Sequence, residues 1–255
     1  MKSKILLVMA LVMMAALLPV LAQAPETAPA AAKTAQETTL WGLWKTGGWA
    51  MYPILMLSIV ATAFTVYGYL NFSEKKMVRA DLVPGLTTAL QGLDVKGAAA
   101  ICGGNSSAMT RILNGGLMRL RGESTDLRSV EKAMEETSVV EHQAGMKALN
   151  YISVCASIAP MFGLLGTVSG MIKAFQKIGL GAMGDPEKLA ADIGEAMITT
   201  GYGLIVGIPA MFFYFHLKGQ FTSNMAVIGR VLGDLLHEMG VALGRTETGV
   251  TEESR

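Results

Sequence analysis

The chain has 255 residues, 51% of them hydrophobic and only 16% charged, with a formal net charge of +1. That balance excludes a basic nucleic-acid-binding surface as the organising feature and favours a chain that lies in a membrane. Its two cysteines fall in contrasting surroundings, Cys102 in a charged stretch and Cys155 in an apolar run, which argues against a structural disulfide. His142, His216 and His237 are scattered, so no metal site is expected.

Lys2 and Lys4 precede the apolar stretch Ile5 to Leu18, then Pro19 and the small-residue pattern ending at Ala22. This is the layout of a secretory signal peptide over residues 1–22, with an uncleaved anchor as the other reading. Residues 23–45 are rich in Ala, Pro, Thr and Gln without apolar period, and are expected to form a periplasmic linker.

The first span is expected over 46–73, a run without a charged residue. Trp41, Trp44 and Trp49 stand at one end, Tyr67 and Tyr69 towards the other, as interfacial belts do. Pro53 falls in the first turns of the helix, where a missing amide costs least. Lys75, Lys76 and Arg79 follow, so the positive-inside rule puts this end in the cytoplasm.

Residues 74–147 carry both signs of charge and should form a cytoplasmic helical domain. Short helices are expected around Leu93 to Cys102 and Ala108 to Arg121, on either side of the turn-forming Gly103 to Ser107. A longer helix, capped by Asp126, should run without a break into the second span at 148–174. A turn-rich periplasmic loop follows at 175–191, then a third span at 192–216. From there 217–245 continues as an amphipathic cytoplasmic helix, with Phe221, Met225, Ile228, Leu232, Leu235 and Met239 as its stripe, and 246–255 is expected to be a disordered tail. The fold class is therefore all-α, with three transmembrane helices extended by long cytoplasmic ones.

At about 100° per residue, Ala159, Gly163, Gly166, Thr167, Gly170 and Ala174 share one stripe of the second span, and Ala196, Thr200, Gly203 and Gly207 one stripe of the third. Faces of small residues let backbones approach closely or let a partner helix fit a narrow bore. The hydroxyls of Thr167 and Thr200 either line that face or bond a carbonyl one turn back. Glu195, at the edge of an apolar run, is either a functional carboxylate or an interfacial group neutralised by Lys188, by Lys173 or by the positive end of its helix. Pro160 and Pro209 lie deep in their spans, as packing features or as hinges.

Two blocks carry a resemblance. Ala159-Pro160-Met161-Phe162-Gly163-Leu164-Leu165-Gly166-Thr167-Val168-Ser169-Gly170 resembles the second-span motif of the MotA/TolQ/ExbB family, and Ile193-Gly194-Glu195-Ala196 through Thr200, Gly203 and Pro209 is similar to its third-span motif. A weaker similarity covers Ala98 to Cys102 and Arg111 to Leu117. The resemblance, closest to ExbB or TolQ, implies a proton-driven motor subunit of the bacterial inner membrane, without covalent chemistry or cofactor and with protons as the transported ion. It implies a pentamer around a central pore holding an ExbD- or TolR-type single-pass partner with a transmembrane Asp. A TonB- or TolA-like protein would be the further partner. By this resemblance Thr167 and Thr200 face that Asp, and Glu195 matches the family's third-span glutamate. Outer-membrane transport, Tol-like envelope maintenance and gliding or flagellar-type stators are the candidate processes. Three mature spans argue against the four-span MotA type. A membrane enzyme built on Glu195 lacks a companion nucleophile or metal motif, and a non-conducting scaffold has no need of the two threonines and the glutamate.

Overall fold

The computed structural model describes residues 47–120, 127–179 and 186–253; the side chains of 186–188 and 245–253 are outside the description. The signal-like segment 1–22, the linker 23–45, Trp41, Trp44 and the Asp126 cap therefore lie outside the described residues. Every regular element is helical: α1 Met51–Asn71, α2 Glu74–Met77, a 3-10 turn Ala80–Leu82, α3 Val83–Gln91, α4 Val95–Gly103, α5 Ala108–Leu120, α6 Leu127–Gly179 and α7 Pro186–Glu253. Among the described residues there is no strand.

Three of these helices are long and apolar enough to cross a membrane: α1, with a mean hydropathy of 1.7 in its most apolar window, and segments of α6 and α7 at 1.7 and 1.6. The expected continuity holds, because α6 passes from its charged half through the second uncharged run in a single helix of 53 residues. The third apolar run likewise continues into the amphipathic segment within α7. The backbone of α7 remains helical to Glu253, inside the stretch read from sequence as a tail.

The chain divides into two compact units. The described part of one comprises 47–65, 151–179 and 186–214. Its apolar side chains point outwards to an extent that water would not tolerate: Tyr52, Met56, Ile59, Met161, Leu164, Phe175, Met197 and Ile208 are all more than 60% exposed. A hydrocarbon surrounding or neighbouring apolar chains remove that cost. Inside, Met51, Ile54, Ile152 and Ala159 are buried, the rings of Phe64 and Tyr151 stack with centroids 4.9 Å apart, and Thr65 returns its hydroxyl to the Ala61 carbonyl at 2.7 Å.

The described part of the other unit, 66–120, 127–150 and 215–253, buries an apolar core beneath exposed charged side chains, although Val140 and Phe215 are also more than 60% exposed. Helix α5 buries Met109, Ile112, Leu113 and Leu117. Its start is a reciprocal cap, in which the Thr110 amide donates to Ser107 Oγ at 3.2 Å and the Ser107 amide to Thr110 Oγ1 at 2.9 Å. Arg111 binds both carboxylate oxygens of Glu141 on α6 at 2.6 Å, a fork geometry that only arginine offers.

The predicted helix from Leu93 begins later. Leu93 has φ of +53° and ends the preceding turn, while Asp94 caps α4 by accepting from the Gly97 amide at 2.9 Å. Helix α3 was not expected at all, although its Pro84 sits in the first turn, where proline favours a helix. Arg79 also has a left-handed backbone, φ of +47°, and its guanidinium holds the Asp81 carboxyl below the usual carboxylate range. Along α7 the expected stripe is buried at Phe221, Ile228, Leu232, Leu235 and Met239, but Met225 is only half-buried. Its neighbour Asn224 is buried instead, and donates to the Phe72 carbonyl at 2.7 Å just past the end of α1.

Candidate functional site

The second and third apolar runs cross as antiparallel helices, and their two small stripes face one another within this one chain. Gly170 lies on Ala196, Gly163 on Thr199 and Thr200, and Gly203 on Ala159 and Gly163. Backbone meets backbone: a methyl added to Gly203 would stand 2.7 Å from the Ala159 carbonyl oxygen, and one on Gly163 3.0 Å from both the Thr199 oxygen and the Thr200 Cα. Gly166 faces the Thr199 side chain. Between helices in lipid, where apolar surface gains little by leaving hydrocarbon, such close approach is the main source of attraction.

Pro160 belongs to this crossing. It cannot donate to the Ala156 carbonyl one turn back, and Gly207 lies against both that carbonyl and the Pro160 ring, 2.7 Å from a methyl position on Gly207 to the ring Cγ. The helix runs on through Pro160, as α7 does through Pro209, which is half-buried.

The two threonines of the resemblance are used differently. Thr200 donates across the crossing to the Gly163 carbonyl at 3.0 Å. Thr167, half-buried, donates within its own helix to the Leu164 carbonyl at 2.7 Å. The most buried threonine of the crossing is Thr199, 2% exposed, which donates to Ala196 O at 2.7 Å and also lies 3.3 Å from Gly163 O. Sequence reasoning passed it over because it falls off the stripe drawn through Thr200. Its signal was present in the adjacent pair of hydroxyls opposite the Gly163–Gly166 pair.

Glu195 stands at the outer edge of the same crossing with its side chain 28% exposed, and Lys173 Nζ lies 3.6 Å from its Oε1. Lys188, the other neutralising group considered, has an undescribed side chain. The same Glu195 oxygen lies against Gly48, whose φ is +62° and whose missing side chain leaves it room. One turn further out, Lys177 Nζ contacts both oxygens of Asp192 at 2.6 and 2.9 Å, and Asp192 is 12% exposed. Neither Lys177 nor Asp192 was anticipated from sequence, although lysines four apart opposite acids three apart suit two antiparallel helices. Trp49 Nε1 donates to Ser169 Oγ at 3.4 Å, joining the turn before α1 to α6.

The arrangement therefore places a titratable carboxylate at the rim of a tight, hydroxyl-bearing helix crossing. Among the described residues no nucleophile and general base are brought together there, and no three His, Cys, Asp or Glu side chains could hold a metal ion.

The model of the MotA/TolQ/ExbB proton channel family matches residues 104–230, which include α5, all described residues of the crossing except the turn before α1, and Asn224. The ExbB-like 1 protein of Synechocystis sp. is 30% identical over 204 residues, covering 76% of this chain and 77% of that protein. An ExbB homolog of Methanothermobacter thermautotrophicus is 29% identical, over 67% of this chain and 62% of its own length. The biopolymer transport protein ExbB of Xanthomonas campestris pv. campestris is 34% identical over 42% of each chain. The chain thus spans less than two thirds of the latter two relatives.

Proposed function

This chain belongs to the MotA/TolQ/ExbB proton channel family, and on that premise we propose that it is a subunit of an inner-membrane complex that uses the proton-motive force to drive an envelope process, TonB-dependent outer-membrane transport first among the candidates. The relatives named ExbB favour that process over Tol-like maintenance or a gliding or flagellar-type stator. Protons are the transported ion, and no cofactor takes part.

The observation that carries this reading is the crossing of α6 and α7, where the motif residues Gly163, Gly166, Thr199 and Thr200 meet beneath Glu195. A wholly inert scaffold would have little use for a carboxylate at the edge of an apolar run. Five copies surround a single-pass ExbD- or TolR-type partner whose transmembrane Asp accepts and releases the proton, and a TonB- or TolA-like protein takes up the work. Since Thr200 is already engaged with Gly163, its hydroxyl acts on the partner by exchanging that carbonyl for a water or for the Asp. Moving one charge through 100 mV releases about 2.3 kcal/mol, so work on a folded partner consumes several protons.

The mature amino terminus is periplasmic and the carboxyl terminus cytoplasmic, a topology supported by the basic residues Lys75, Lys76 and Arg79 after α1. The decisive experiment is proton flux in proteoliposomes holding the chain with its ExbD- or TolR-type partner. Flux that needs both proteins and falls in the Glu195→Gln variant supports the reading; an assembled complex that carries no flux refutes it. A cysteine at Asp185 should react with an impermeant thiol reagent on whole cells while one at Lys96 does not, and the reverse labelling would overturn the topology.

A further inference from the structure

The rim of the crossing carries four charges in two rungs, Lys177 with Asp192 and, one turn deeper, Lys173 with Glu195. The rungs differ in kind. In the outer one a single ammonium contacts both carboxylate oxygens, at 2.6 and 2.9 Å, and the Asp192 side chain is 12% exposed. In the inner one the approach is 3.6 Å, beyond hydrogen-bond reach, and involves one oxygen of a carboxylate that is 28% exposed. The Glu195 carboxylate is thus loosely paired but closely seated, because the same oxygen that faces Lys173 also lies against Gly48.

A seat of that kind depends on the rotation and depth of the turn that carries Glu195. Asp192 and Glu195 are three residues apart on α7, Lys173 and Lys177 four apart on α6, so both pairs fall on facing sides of the antiparallel helices. Between the rungs and the threonines Gly170 lies against Ala196 and the Asp192 carbonyl, a contact that limits separation but fixes rotation poorly because neither side chain is long.

We propose that Lys177 and Asp192 are positioning residues for Glu195: their bidentate pair is a clasp that holds the outer turn of α7 in register, keeping the Glu195 carboxylate seated against Gly48 and near Lys173. Among the described residues the charged groups of this rim beside Glu195 are Lys173 and Lys177 from α6 and Asp192 from its own helix; the turn Gly47 to Ala50 carries none. The inference rests on the reading of Glu195 as a proton-exchanging group, but its test does not require conduction.

The test is the rate at which a hydrophobic carbodiimide modifies Glu195 in the full chain held in lipid nanodiscs, read residue by residue by peptide mass spectrometry at one pH. Lys177→Gln and Asp192→Asn should each raise modification of Glu195 about two- to fivefold, the population change that losing an ion pair with a half-exposed lysine allows. Lys177→Arg should stay near the parent rate. The exchange of charges, Lys177→Asp with Asp192→Lys, should bring the rate back towards the parent, which a general loosening of the helices would not do. Unchanged modification in both single variants, or a charge-exchanged protein as reactive as either of them, overturns the proposal. Proton flux in Glu195→Gln is judged separately: normal flux there removes the role given to Glu195 while leaving the clasp to stand or fall on the labelling.

Discussion

The hydroxyl of Thr200 reaches the carbonyl oxygen of Gly163 at 3.0 Å, across a helix crossing in which Gly163 itself has no space for a side chain. Hydrogen bond and close approach depend on each other. The bond is possible only because the backbones come this near, and the backbones come this near because the face is made of glycine and alanine.

Enlarging that face should therefore separate the helices. Gly203→Ala places a methyl 2.7 Å from a main-chain oxygen that cannot rotate away, and overpacking of this kind costs about 1–3 kcal/mol. Gly163→Leu or Gly203→Leu should go further and reduce the yield of assembled complex. Thermal denaturation and native mass spectrometry in detergent read the two effects, and undiminished stability in the leucine variants would refute the packing described.

Removing one hydroxyl is a gentler change. Thr200→Val keeps the shape and loses a bond worth about 0.6 kcal/mol by the average for membrane helices, so assembly should survive with a slightly lower melting temperature. Thr167→Val, which loses only a bond within its own helix, should melt like the parent. Proton-driven function is expected to fall in both, and most in the double variant. Normal flux from a fully assembled double variant would make these hydroxyls purely structural.

In the unit that contains α5, Arg111 and Glu141 form a fork that lysine cannot copy. Arg111→Lys should destabilise the protein nearly as much as Arg111→Ala, by roughly 1 kcal/mol, because the guanidinium side chain is 48% exposed and solvent screens the pair. Chemical denaturation at two salt concentrations would show it, with the difference from the parent shrinking as salt rises.

Cys102 should be a poor nucleophile. Burial pushes its thiol up to about 11, so the thiolate that reacts is scarce at pH 8. Alkylation of the folded chain should be slow there and accelerate steeply towards pH 11, whereas a cysteine placed at exposed Lys96 should react readily at pH 8. Equal rates at the two positions would contradict the burial of Cys102.

The three spans were legible in the sequence because each is a long run without charge, and their depth in the chain could be counted. The stripes were legible too, since rotation per residue is fixed by the helix. What fills a stripe is a different kind of fact. Ala159, Gly163 and Gly203 read equally well as a bore wall or as a close crossing, and only the register of α6 against α7 places them on each other. The same register hides the Lys177–Asp192 pair, because a contact across a hairpin depends on a connection whose geometry no local pattern encodes. Within the helical domain, Leu93 looked like a first helical residue, yet its positive φ makes it the corner between α3 and α4. Apolar pattern cannot distinguish those roles.

The amide of Asn224 that closes the end of α1 is 152 residues away in the chain from the Phe72 carbonyl it binds. At a synthesis rate of about 5–20 residues per second, the ribosome delivers that amide roughly 8–30 s after the first span has emerged. Until then the carbonyl must be held by water or lipid headgroups, so the first span is inserted with an unfinished end. Its completion is postponed until α7 has been made beyond the third apolar run, so the two ends of the chain's helical part become stable together rather than in order of synthesis.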